Sequence, residues 1–200
     1  MDLPRYAFKG PVGRGFPELC AALLQEYADK IAIGLGRLSE EQVWWRPNRE
    51  CNSAGNLVLH ICGNLSLWIL KGLGDASYVR DRAGEFRAER AMSRTDLLER
   101  LEETIARCRE ALEDVDLDRR LSLQGYEVDG AAGLLHAVEH ASQHTGQILY
   151  IVKQLAPGFE LYPQPADASR AGDAGGAVDL RTRGGGGSAR WVASRIPPRR

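Results

Sequence analysis

Three of the chain's four histidines, His136, His140 and His144, recur at four-residue intervals within one apolar-periodic segment. The fourth, His60, sits midway along another such segment, NLVLHICGNLSLWILKG. Positions four apart on an α-helix lie one turn above each other on the same face, so two imidazoles of the series can converge on a single ion. All three cannot, because His136 and His144 are about 12 Å apart along the axis. A third ligand must come from elsewhere, and His60 is the remaining histidine. Geometry leaves open which adjacent pair joins it, 136/140 or 140/144.

A lone buried histidine is more often a hydrogen-bonded core residue than a ligand. Three within nine residues, with a fourth isolated in an apolar helix, favour a metal site. A ligating imidazole usually donates its other N–H to a fixed acceptor. Candidates for that supporting role are His136, Glu139, and the amides of Asn56 and Asn64 on the His60 stripe. Three nitrogen ligands leave coordination positions for water or substrate, as in catalytic rather than structural sites. Zinc, nickel and iron all suit imidazole, so the expected cofactor is a divalent ion of undetermined identity. Cys62 follows His60 by two residues, points about 200° away, and reads as core. Gly146 reads as a close approach of its helix to a neighbour.

The elements that must position these side chains are helical. Residues 17–38 place Leu19, Leu23, Tyr27 and Ile31 four apart on what should be a core face. SEEQ from Ser39 is a capping-box pattern opening a short turn, which Pro47 ends. Ser53 caps a helix over 53–71 that is apolar on more than one face, as a buried helix is. A third, over 95–114, carries Leu97, Leu101, Ile105, Cys108 and Leu112. The fourth, over 131–155, has the stripe Leu134, Leu135, Val138, Ile148, Val152 and Leu155, and stops at Pro157-Gly158. No segment alternates convincingly as a strand. The fold class is therefore all-α, a four-helix bundle with two long crossover connections.

At 200 residues and 22.0 kDa the chain can form an ordinary core, and 44% hydrophobic with 26% charged residues is a globular mixture. A net charge of -1 supplies no field for nucleic acid or anionic lipid. From Gln164 onward seven Arg face three Asp in a Gly-rich, low-complexity stretch. The expected organisation is a domain over 16–163 and a disordered tail over 164–200. Four scattered cysteines without a CxxC pair, and no apolar run in MDLPRYAFKGPVGRGF, point to a cytoplasmic protein with free thiols.

NSAGNLVLHICGNLSLWILKGLG, RDRAGEF and EHASQHTGQILYI together resemble the DinB-like superfamily, in particular its DUF1572 branch, over about residues 16–163. The resemblance implies a four-helix bundle whose metal triad combines one second-helix histidine with two residues a turn apart on the last helix. Matched here, these are His60, His140 and His144, with His136 the extra one. It also implies, as one activity among relatives, transfer of a low-molecular-weight thiol of the bacillithiol or mycothiol type, with a metal activating the thiol. Arg80, Arg82, Arg87 and Arg90 are candidates to clamp that thiol's carboxylates, against the plainer reading of solvated loop arginines.

Two functions follow as expectations: a metal-dependent thiol S-transferase, or a non-catalytic metal-stabilised bundle serving as a stress-associated binding or oligomerisation module. The expected partners are a small-molecule substrate and a homodimer mate, with no membrane and no nucleic acid for the folded domain.

Overall fold

The computed structural model describes residues 15–162, and the expected disordered tail lies outside them. Pro in the first turn opens α1, Phe16–Leu35. Ser39 then forms a true capping box with Gln42 and starts the short α2, Glu40–Val43. Ser53 does the same with Asn56 for α3, Ala54–Leu65, every residue of which is buried. The helix continues through a π-helical turn, Ser66–Lys71, whose wider bonding is seen in Gly72 N–H donating to Leu67 O at 3.1 Å. The next elements are α4, Arg82–Arg87, α5, Arg94–Ala111, and α6, Gly130–Leu155, the last capped by Asp129.

α1 packs against α5 and α6, and α3 packs against the same two, which closes the four-helix bundle. Its core runs through Leu24, Ile31, Leu65, Trp68, Leu101 and Ile148. The core face of α1 differs from the sequence expectation. Cys20, Leu24, Ala28, Ile31 and Leu35 are buried, whereas Leu19 is exposed and Leu23 and Tyr27 are only partly covered. Leu135 likewise leaves the expected stripe of α6 for solvent.

A second correction lies in the crossover between α5 and α6, where β1, Arg120–Leu123, pairs antiparallel with β2, Tyr126–Asp129. Gln124 and Gly125 join them, both with positive φ, as the tightest hairpin turns require. The hairpin covers the bundle end: Leu121 is buried, and a side chain on Gly133 would strike it. Among the described residues no helix is long and apolar enough to cross a membrane.

Candidate metal centre

α3 and α6 run antiparallel across a shared seam. His60 meets His140, while Trp68, two turns further along α3, packs at a tilt against His136 with ring centroids 4.6 Å apart. That register decides which histidine pair of α6 faces His60. His60 Nε2 lies 3.1 Å from His140 Nε2, which lies 3.3 Å from His144 Nε2, and one ligand atom from each ring falls within 4.8 Å of the others. A tetrahedral ion with nitrogen bonds of about 2.0–2.1 Å would set its ligands about 3.3 Å apart. His136 stays a turn away against Trp68, its ring centroid 5.9 Å from that of His140.

The outer nitrogens fix the tautomers. Glu85 Oε2 is 2.7 Å from His60 Nδ1, and Gln147 Oε1 is 2.7 Å from His144 Nδ1. Each oxygen can only accept, so the Nδ1 that donates to it carries the proton and its Nε2 is left with a bare lone pair; Arg80 Nη2, 3.0 Å from the same His60 Nδ1, directs its own protons to Glu85 Oε2 and His60 O. Those lone pairs converge on His140 Nε2, which can donate to only one of them at a time. A cation at the centre satisfies all three, so the donor set fits a divalent metal. His140 Nδ1 is buried without a hydrogen-bond partner, as is Asn64 Oδ1 on the facing helix, a complementary donor and acceptor once His140 ligates through Nε2.

Glu85 was not foreseen in the sequence reading. It sits on α4 in the crossover, side chain almost fully buried, and accepts from Arg80 Nε at 2.7 Å and Nη2 at 2.9 Å. Burial by itself would raise this carboxyl, but hydrogen bonds from His60 and Arg80, with the guanidinium charge, hold it below the usual carboxylate value. Asn56 holds α4 in place, its amide donating to Glu85 O and Ala88 O, both at 2.9 Å. Arg46 adds bonds to Phe86 O and Ala88 O. Gly63 supplies the space, since a Cβ there would lie 2.0 Å from Glu85 Oε1.

The supporting candidates therefore sort differently from expectation. Asn56 acts on His60 through α4 and not by touching the ring, and Asn64 is buried beside the site without bonding a histidine through its oxygen. Glu139 is exposed and takes no part in the described hydrogen bonds of the site. The arginines do not form a clamp. Arg80 pairs with Glu85 and also donates to His60 O at 3.3 Å, Arg82 lies over the Phe86 ring, Arg87 reaches exposed Asp81 at 4.0 Å, and Arg90 is exposed. Gly146 approaches nothing within 4 Å, so the expected close helix contact is absent.

Burial, then the nearby charges of His144, His60, His136 and Arg80, push His140 down to about 3, and burial first of all lowers His144 as well. Both rings thus stay neutral and available as ligands in mildly acidic solution. In the metal-free protein the unfolded chain takes up protons on these histidines near pH 6.5 while the folded one does not. The stability they allow is complete above that pH and is lost as pH falls from about 6.5 towards about 3. Thermal melts of metal-free wild type should show the loss, and His140→Gln should flatten it. A pH-independent melting point across that window would rule the site geometry out.

The bundle has the fold of proteins described as DinB-like. Two solved structures share the fold with a TM-score of 0.53 each: a DinB-like protein from Bacillus cereus ATCC 10987, 19% identical over 70% of this chain and 96% of its own, and the DinB-like protein YjoA from Bacillus subtilis, 22% identical over 72% and 95%. The family model for DUF1572, a protein of unknown function, matches residues 12–159, and the chain belongs to that family. No curated protein matches the chain.

Proposed function

We propose that this protein is a divalent-metal enzyme in which His60, His140 and His144 hold one ion and the remaining coordination positions activate a small nucleophile for transfer to an electrophile. The observation that carries the reading is the convergence of three Nε2 atoms with two of the outer nitrogens already committed to acceptors. A divalent ion bound there lowers the pKa of a coordinated thiol or water. The chain's own residues orient and shield: Glu85 and Gln147 hold the ring protons, Arg80 keeps Glu85 ionised, and Phe86 packs on His60 with ring centroids 4.5 Å apart.

A low-molecular-weight thiol is the first candidate nucleophile, on the resemblance to thiol-transferring relatives. Cys62 and Cys20 are pushed by burial up to about 11 and Cys108 to about 12, so these three remain protonated and do not supply a thiolate. Metal-loaded protein incubated with bacillithiol, mycothiol or glutathione and a chloronitrobenzene electrophile should consume the electrophile faster than a His140→Ala control. No excess rate with any thiol would discard the transferase assignment. A sharp fall in melting temperature on chelation, with no small molecule shifting it, would instead support the non-catalytic module.

A further inference from the structure

One turn from two of the three histidines lies a groove of about 850 Å³ between α6 and the segment leading into α3. It adjoins the site at both walls. Leu57 precedes His60 by three residues on α3, and Gln147, which holds His144 Nδ1, lines the groove as well. Its floor is apolar, with Leu57 and Ile151 buried, and its rim carries Trp45 and Tyr150, the latter 65% exposed. That size suits a ligand of drug-like dimensions.

The polar groups of the lining are mostly amides, its one charged side chain is Glu50, and no Lys or Arg contributes. A carboxylate seated in the groove away from the ion would lose water without gaining a cation from the lining. A neutral or positively charged molecule would not incur that loss. Gly146 adds a separate indication. Glycine within a helix costs about 1 kcal/mol relative to alanine, and here no neighbouring atom demands it, since a Cβ would meet nothing within 4 Å. What the missing side chain leaves open is the groove.

Resting on the metal assignment above, we infer that this groove holds the body of the substrate, a neutral or singly cationic molecule with an apolar, ring-sized core, and that it does not accept an anionic one. If an anionic thiol is the nucleophile, the groove belongs to the electrophile.

The test uses full-length protein loaded with Co(II), whose visible spectrum reports coordination, titrated with imidazole, 4-phenylimidazole and 4-(imidazol-4-yl)benzoate. The phenyl compound should bind about tenfold or more tightly than imidazole, from burial of its ring, and the benzoate should lose that advantage. Gly146→Phe should erase the advantage while leaving imidazole affinity as in wild type and the melting temperature no lower than wild type. Equal binding of imidazole and 4-phenylimidazole, undiminished binding of the benzoate, or survival of the advantage in Gly146→Phe would overturn the groove assignment and leave the metal assignment standing. So would a wild-type dimer that Gly146→Phe dissociates, because the groove would then be a subunit interface. Failure to take up cobalt would overturn both.

Discussion

His60→Ala, His140→Ala and His144→Ala are each expected to emerge from expression without stoichiometric metal, whereas His136→Ala retains it. The first three remove one of three converging Nε2 atoms, and two imidazoles cannot replace the third at the 3.1 and 3.3 Å separations the site presents. His136 is held against Trp68 instead, so its loss costs packing and leaves the ligand set intact. Elemental analysis of the four purified variants beside wild type separates the cases. Metal retained by His144→Ala but lost from His136→Ala would put the α3–α6 register one turn out.

The second large effect is predicted at residues that touch no metal. Gly63→Ala would bring a Cβ to 2.0 Å from Glu85 Oε1, so the carboxylate must leave His60. Without its acceptor the His60 ring is free to rotate and to take the other tautomer, and metal affinity should fall about 10–100-fold. Glu85→Ala should match it, but it also strands Arg80, whose side chain is 6% exposed, and an unpaired buried charge costs about 3–5 kcal/mol of stability. The double variant Arg80→Met/Glu85→Ala removes both charges. Competitive titration with a metal indicator should show the affinity loss in all three variants, with Glu85→Gln restoring part of it. Wild-type affinity in Gly63→Ala and in the double variant would mean that Glu85 does not support the site.

What the sequence could reveal depended on the range of the interactions. The helices were legible because apolar periodicity, the Ser39 and Ser53 capping boxes and the Pro157-Gly158 stop are all local signals. The face of α1 was not. A strict four-residue step turns about 400° each time, so the Leu19–Ile31 series drifts off any fixed face, while the buried set mixes three- and four-residue steps. The hairpin escaped notice because two four-residue strands offer too few alternations.

At the site, spacing limited the ligands to His60 and an adjacent pair on α6. Spacing could not choose the pair, because it does not encode the antiparallel register of two helices eighty residues apart; the choice of His140 and His144 came from the family resemblance. Glu85 lay deeper still. It reaches His60 only because Asn56 and Arg46 pin α4 and Gly63 makes room, and each of these contacts is tertiary. Arg80 read as a free cation for the same reason, since its partner is fixed by the fold and not by a helical interval.

X-ray absorption at the metal edge of protein purified without added metal tests the central claim most directly. The account predicts about one divalent ion per chain with a first shell of nitrogen and oxygen at about 2.0–2.1 Å and the outer-shell scattering of three imidazoles. A metal-free protein, a sulfur shell, or fewer than three imidazoles would contradict it.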